Sequence, residues 1–224
     1  MNIYRRNEWL TLAIIPAELL IGNLLISPLL KGRETAFSVT NVLLFLFGFL
    51  AVILLNRHFL AEQWQIFRKR FWLKLLLAIL FVVIAQILLT LVRDGLGLNA
   101  VKADKLSMLE VFGSLFWSMI PALLAPFTEE IVFRHLLFMK FRASAKPAIF
   151  WCLWLLQSLL FGLIHWVNFN GQILQMVPYM VIGAYFGLIY YFSKNIWQSI
   201  LTHFIFNGMS LFMLIFSLIM SLFS

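Results

Sequence analysis

Long apolar runs recur along the whole chain, and they limit its fold more than any other feature. Each run holds about 20 residues, the length that an α-helix needs to cross the hydrocarbon core of a membrane. A soluble domain has about 25% charged residues, whereas this chain has 12% and is 63% hydrophobic. The pattern predicts an all-α fold, a polytopic transmembrane helical bundle. The candidate spans are 9–30, 37–55, 74–92, 109–141, 147–166, 172–192 and 196–222.

The fourth run, residues 109–141, is too long for one straight span, because as a single helix it would measure about 50 Å. Pro121 and Pro126 lie inside it. Proline removes a backbone donor and clashes with the preceding turn. We therefore expect separate helices over 109–125 and 127–141, which raises the count from about seven spans to about eight.

The basic residues lie mainly in short loops between the apolar runs. Cytoplasmic loops of membrane proteins carry an excess of Lys and Arg. With the N-terminus inside, the inner segments hold most of the 17 basic residues, so we expect a multi-pass protein of the cell (plasma) membrane with a cytoplasmic N-terminus. Attraction to anionic lipid explains the net charge of +8. We thus expect the lipid bilayer, and no nucleic acid, as a partner.

Two parts of the chain differ in character. Residues 1–108 hold N-terminal transmembrane helices and a loop that mixes aromatic and basic side chains between Phe59 and Trp72. This mixture is typical of a helix that lies on the membrane surface, here the inner leaflet. Residues 109–224 form the transmembrane core in which the polar motifs described below occur. A single cysteine, Cys152, excludes an internal disulfide and a cysteine-rich metal site.

The fourth apolar run contains Glu129, Glu130 and Arg134. Ionisable side chains at membrane depth are costly and mark functional sites by default. Glu130 and Arg134 can pair at i, i+4 on a helix, and this leaves Glu129 without a partner. An unpaired carboxylate in an apolar setting is a candidate catalytic group. The segment therefore predicts chemistry at Glu129.

Later runs contribute two histidines and an amide. His165 follows Phe161 by four residues, and Asn207 follows His203 by four, on one face of the last run. A carboxylate that takes a proton from water, with a histidine beside it, can hydrolyse an amide bond. The other histidine and the amide can donate hydrogen bonds to the developing oxyanion. The zinc-protease motif HExxH does not occur in the sequence.

These residues form three motifs in order: EExxxR from Glu129 to Arg134, FxxxH from Phe161 to His165, and HxxxN from His203 to Asn207. In this respect the chain resembles the CPBP intramembrane protease family, which includes the type II CAAX prenyl endopeptidases and bacterial Abi-type proteins. The resemblance covers roughly residues 109–210. Each motif lies in a predicted apolar helix, and the three together are more specific than any one alone.

The resemblance implies a role for each motif residue. Glu129 is expected to be the general base, with His165 as its partner on the water molecule. His203 and Asn207 are expected to donate to the oxyanion. Glu130 and Arg134 are expected to form a structural ion pair.

The resemblance also leaves two points open. His135 stands where the family usually has glycine, and a larger side chain there can narrow the cavity or add a titratable group. No cofactor is required for the expected mechanism. A divalent metal such as zinc, held by Glu129, His165 and His203, remains the alternative.

Three functions are compatible with the sequence. The first is an intramembrane endopeptidase that hydrolyses a peptide bond of a membrane-associated peptide or protein with a Glu/His-activated water. The second is a non-catalytic membrane protein on the same scaffold, such as a bacteriocin-immunity or regulatory protein. The third is a small transporter with a proton path through Glu18, Glu129 and Glu130. Complete motifs favour the enzyme, and the lack of an internal repeat argues against the transporter.

The substrate is expected to follow from the organism. Prenylated CAAX proteins are substrates of eukaryotic family members. A short chain without an organelle signal favours a bacterial origin, for which a precursor peptide, a pheromone or a bacteriocin leader is expected.

Two features of the sequence have no explanation at this level. Glu18 lies well inside the first apolar run, where a charged group is costly. Straight helices with a rise of about 1.5 Å per residue also place Glu129, His165 and His203 at different depths. Tilted helices or shifted helix ends are needed to bring them together.

Overall fold

A computed structural model describes residues 7–98, 108–142 and 144–221. The part of the chain that it describes is helical and contains no β-strand, so the prediction of an all-α fold is confirmed. The seven long helical segments are α1 (Glu8–Leu29), α2 (Glu34–Arg68), α3 (Phe71–Gly95), α4 (Met108–Glu129), α5 (Pro147–Leu163), α6 (Ile173–Ser193) and α7 (Ile196–Ser221). A π-helical segment, Glu130–Leu136, continues α4, and a 3₁₀ turn follows at Met139–Phe141.

Four of these segments, α1, α2, α3 and α6, are long and apolar enough to cross a membrane. Large apolar side chains cover their outer faces: Phe47 is 75% exposed, Leu54 66% and Trp72 78%. An exposed apolar surface of this extent indicates contact with lipid. α5 has only 17 residues, and the predicted total of seven to eight spans stays a prediction.

The expected break between 109–125 and 127–141 does not occur. α4 passes through Pro121 and Pro126 without interruption and runs directly into the π-helical segment. Pro126 has no N–H to donate to the carbonyl of Ala122, four residues earlier. The side-chain Nδ2 of Asn207 donates to that carbonyl instead, at 2.7 Å. A side chain from α7 thus replaces the missing backbone bond.

The separate interfacial helix predicted between Phe59 and Trp72 also does not occur. α2 continues to Arg68 as one helix of 35 residues, because neither glycine nor proline follows Gly48 before its end. At about 1.5 Å per residue, this helix is longer than the roughly 30 Å of the hydrocarbon core. Its C-terminal end packs on the start of α7, where Asn195 Nδ2 donates to the carbonyl of Gln63 at 2.9 Å.

A short connection fixes where α7 begins. Lys194 has a left-handed backbone with φ of 53°, and Asn195 follows as the N-cap. Its Oδ1 accepts a hydrogen bond from the backbone N–H of Trp197 at 3.0 Å. A cap of this kind satisfies one of the free N–H groups at a helix start. It therefore sets the position of the HxxxN motif along α7.

α5 and α6 pack closely because glycines line their contact. A Cβ atom on Gly183 would lie 2.8 Å from Cδ1 of Phe161, and one on Gly187 would lie 2.9 Å from Nε2 of Gln157. Trp154 Nε1 donates across the same contact to the carbonyl of Ala184 at 3.0 Å. Small residues allow such close approach of membrane helices. The approach fixes the position of Phe161, which belongs to the site.

α1 packs against the middle of the molecule. Ile15 of α1 lies in one buried apolar cluster with Val132, Phe133 and Phe161. This cluster joins the N-terminal helix to the π-helical segment and to α5. The N-terminal part of the chain therefore forms one wall of the region that holds the motifs.

We predict that Gly183→Ala lowers the thermal stability of the protein in detergent. The added methyl group would overlap Phe161, which is 2% exposed and has little room to move. Overpacking of this kind costs about 1–3 kcal/mol. Gly95→Ala at the end of α3 is the control, because no atom of the described residues lies within 4 Å of a Cβ atom there. Equal unfolding temperatures for the two variants would contradict the close contact between α5 and α6.

Candidate active site

A fully buried carboxylate, Glu130, lies at the centre of the site. Its Oε1 accepts a hydrogen bond from Nδ1 of His203 at 2.8 Å, and its Oε2 accepts one from Oγ of Ser199 at 2.5 Å. Nε of Arg134 lies 3.3 Å from Oε2. Burial of a charge is tolerated only with such partners. Glu130 thus connects the π-helical segment to α7.

The guanidinium group of Arg134 is also fully buried. It lies 4.1 Å from the ring centroid of Phe161 and 5.7 Å from those of Phe133 and Phe186. Aromatic rings attract a cation through their faces. The charge of Arg134 is therefore balanced by one carboxylate and three rings, and Phe161 ties α5 to this pair.

Glu129 precedes Glu130 but lies in a different environment. Its side chain is 14% exposed, and its Oε2 lies 3.7 Å from Nε2 of His203. One imidazole ring thus lies between the two adjacent glutamates, with one nitrogen toward each. The change from α-helix to π-helix falls between Glu129 and Glu130. Such π-helical turns are frequent at functional sites.

The carboxylate of Glu129 faces a cavity of about 130 Å³. This volume has room for several water molecules. Both polar and apolar residues line the cavity, so water and an apolar chain can meet in it. Its lining residues are Ile15, Glu18, Leu19, Phe45, Ala125, Thr128, Glu129, Ile164, His165 and Asn168.

His165 lines this cavity but lies outside α5, whereas the sequence predicted it inside a helix. α5 ends at Leu163, and His165 is in the turn that follows. Nδ1 of His165 lies 3.1 Å from the carbonyl oxygen of Phe161. A carbonyl can only accept a hydrogen bond, so Nδ1 carries the proton and donates it. In the neutral ring, Nε2 is then free to accept a hydrogen bond from water.

Asn207 is half-buried and does not line the cavity. One N–H of its amide is used on the carbonyl of Ala122, as described above. The amide nitrogen has a second N–H. The structure therefore gives Asn207 a contact with the backbone of α4 that the sequence did not predict. The second N–H of the amide remains for the predicted hydrogen bond to the oxyanion.

His135 lies away from the cavity. Its ring stacks on Phe59 with centroids 3.8 Å apart, and its Nδ1 lies 3.2 Å from the hydroxyl of Tyr190. It belongs to the packing between α2, the π-helical segment and α6. It therefore does not narrow the cavity.

The three candidate metal ligands do not form a recognisable metal site. Within residues 7–98, 108–142 and 144–221, no group of three or more His, Cys, Asp or Glu side chains is arranged to hold a metal ion. Nδ1 of His203 is bonded to Glu130, and Nδ1 of His165 to a backbone carbonyl. Only Nε2 of each ring remains for any further ligand.

Two residues of this region were missed as site residues in the sequence. Ser199 lies four positions before His203, so both project from one face of α7 toward Glu130. That spacing is a signal that sequence reasoning could have used. Glu18 was recognised as unusual, but its place in the cavity depends on how α1 packs, and no spacing in the sequence gives this.

Comparison with protein families gives one match. Residues 111–209 match the model of an Rce1-like family, the type II CAAX prenyl endopeptidase Rce1-like proteins. Searches of curated proteins and of solved structures give no match. The matched segment contains all three motifs and most of the buried ionic network. It confirms the resemblance of this part of the chain to the CPBP intramembrane proteases, in an Rce1-like form.

Proposed function

We propose that this membrane protein is an intramembrane endopeptidase that hydrolyses a peptide bond with water activated by Glu129 and His165. The observation that carries the proposal is the cavity in which these two side chains meet. The Rce1-like family is a protease family. In the proposed mechanism, Glu129 is the base, Nε2 of His165 is the hydrogen-bond acceptor, and the cavity has space for water.

The chemistry starts at the water molecule. Glu129 takes one proton from it, and Nε2 of His165 accepts a hydrogen bond from its second O–H group. The bond from Nδ1 of His165 to Phe161 holds the ring in the orientation that leaves Nε2 free. Positioned acid and base groups of this kind contribute about 10²–10⁴-fold to rate.

His203 and Asn207 are the proposed oxyanion donors. Glu130 holds the Nδ1 proton of His203, so Nε2 can donate only when the ring is the imidazolium ion. Asn207 can donate its second N–H while the first remains on Ala122. The catalytic group therefore consists of Glu129, His165, His203 and Asn207. Glu130 and Arg134 act as the supporting ion pair, with Glu130 also orienting His203.

No metal or other cofactor is required in this mechanism. A zinc ion held by Glu129, His165 and His203 is the alternative that a chelator distinguishes. The proposed substrate is a membrane-embedded or membrane-associated peptide or protein. A precursor peptide and a prenylated peptide are the two substrate classes to compare.

We predict that Glu129→Gln abolishes cleavage while the protein still inserts and purifies normally. The amide keeps the shape of the side chain but cannot accept a proton from water. The measurement uses purified protein in lipid vesicles and a pool of quenched fluorescent peptides, with and without a farnesylated cysteine. Cleavage by the wild type that persists with a zinc chelator supports the metal-free mechanism.

The control for this experiment is Glu62→Gln, which changes an exposed glutamate of α2 and should leave the rate unchanged. Turnover by Glu129→Gln within a few-fold of wild type would exclude Glu129 as the base. Wild-type protein that cleaves no peptide in the pool would instead favour a non-catalytic immunity or regulatory protein on the same scaffold.

We predict that Asn207→Ala lowers both stability and rate, and that these effects can be separated. The variant leaves the carbonyl of Ala122 without its partner, at a cost of about 1–3 kcal/mol. Pro126→Ala restores a backbone N–H four residues after Ala122. The double variant Pro126→Ala, Asn207→Ala should therefore recover the unfolding temperature while kcat stays about 10²–10³-fold low.

Pro126→Ala alone is the matched control, and it should remain active. A double variant that recovers both stability and kcat would show that Asn207 acts only on the helix. A rise in KM with unchanged kcat would assign Asn207 to substrate positioning.

A further inference from the structure

Glu18 of α1 is a buried carboxyl group that the proposed mechanism does not use. It is 9% exposed, and its Oε1 has no hydrogen-bond partner among the described residues. It packs against Gly48 of α2, where a Cβ atom would overlap Oε1. The glycine leaves the space that this carboxyl group occupies. Glu18 also lies outside the family-matched segment, residues 111–209.

Glu18 lines the same cavity as Glu129 and His165. The other polar residues of the lining are Thr128 and Asn168, and no Lys or Arg lines this cavity in the described part of the chain. A buried carboxyl group without a cation or a donor is costly in its charged form. Glu18 is thus suited to carry a proton.

Two carboxyl groups on one cavity have different surroundings. Glu129 lies near an imidazole nitrogen, at 3.7 Å, whereas Glu18 lies against Gly48 and its Oε1 has no hydrogen-bond partner among the described residues. Enzymes use such differences to assign one carboxyl group as acid and the other as base. Peptide hydrolysis needs both, because the leaving nitrogen must gain a proton as the C–N bond breaks.

We propose that Glu18 is the general acid that protonates the leaving amine. The inference rests on the proposed function. The water oxygen bonds to the carbonyl carbon while Glu129 takes one water proton. The C–N bond then breaks, and the nitrogen takes the proton of the Glu18 carboxyl group. Transfer of the proton from Glu129 to Glu18, through water in the cavity, restores both groups, and the net reaction consumes one water molecule.

The test compares two leaving groups on one peptide sequence. The first probe is the peptide amide from the fluorescent pool that wild type cleaves and Glu129→Gln does not. The second is the matched phenyl ester, whose phenolate can leave without a proton. Glu18→Gln should lower kcat for the amide by about 10²-fold and change the ester rate by less than about threefold, because only amine departure needs an acid. Glu129→Gln should slow both.

Two glycine variants test the position of the carboxyl group without changing it. Gly48→Ala would displace the Glu18 carboxyl group and should reproduce the selective loss of amide cleavage. Gly22→Ala, on α1 with Glu18, is the control, because among the described residues a Cβ atom there meets only Leu44 at 3.8 Å. If Glu18→Gln does not fold, Gly48→Ala and the shorter acid Glu18→Asp carry the test, with Glu18→Asp retaining part of the amide rate.

Equal effects of Glu18→Gln on amide and ester, or no effect on either, would overturn the assignment and leave the proposed function intact. The same holds if Gly48→Ala slows both probes alike. Amide cleavage that persists in Glu129→Gln would instead contradict the proposed function. Infrared spectra of the protein in lipid give a second measurement. A neutral carboxyl band of wild type should disappear in Glu18→Gln, and an unchanged band would contradict the proposal.

Discussion

The buried charge pair of Glu130 and Arg134 is the interaction on which the rest of the site depends. Two charges removed from water lose several kcal/mol of hydration each, so they remain buried only with well-placed partners. The partners come from every motif segment: Phe161 lies under the guanidinium group, and His203 donates to the carboxylate. The contacts that stabilise this one ion pair therefore hold the end of α4, α5 and α7 next to each other.

This arrangement gives two adjacent glutamates different surroundings. The oxygens of Glu130 accept hydrogen bonds from His203 and Ser199 and form an ion pair with Arg134, and these contacts leave the carboxylate little freedom to exchange a proton with a substrate. Glu129 reaches the cavity, and its Oε2 lies 3.7 Å from Nε2 of His203. The same histidine contacts both glutamates, so the support network also sets the position of a proposed catalytic group.

The N-terminal helix, α1, contributes both to the buried cluster and to the cavity lining. Ile15 packs with the buried cluster around Phe161, and one turn later Glu18 enters the cavity. A buried carboxyl group in this helix is costly in its charged form, and the glycine at position 48 leaves space for the Glu18 side chain. The cavity is thus lined both by the family-matched segment and by residues outside it.

The helical fold and the pairing of Glu130 with Arg134 could be predicted from the sequence. The length of the apolar runs determines an all-helical fold, and the spacing of Glu130 and Arg134 allows them to pair. The sequence places Glu129, His165 and His203 at different depths only if every helix is straight, and the sequence does not show where the helices depart from that shape. His165 lies in a turn beyond α5, and the EExxxR motif continues α4 in a π-helical segment. The bond from Asn207 to Ala122 and the place of Glu18 arise only from packing between helices.

The Glu130–Arg134 pair supports the fold and, through Glu130, orients His203. The most direct test measures thermal unfolding and peptide cleavage for Arg134→Ala and for the double variant Glu130→Leu, Arg134→Leu. Arg134→Ala should lose about 3–5 kcal/mol of stability, because it leaves a buried carboxylate without its cation. The double variant should fold again but remain inactive, because His203 has lost its acceptor.

Lys140→Ala is the control for the loss of an ion pair. It removes the more exposed pair of Lys140 and Glu8, and pairs of that kind contribute about 1 kcal/mol or less. Arg134→Ala protein that is as stable as Lys140→Ala would contradict the claim that the buried pair supports the fold. A folded double variant with near wild-type cleavage would contradict the claim that Glu130 orients a catalytic histidine.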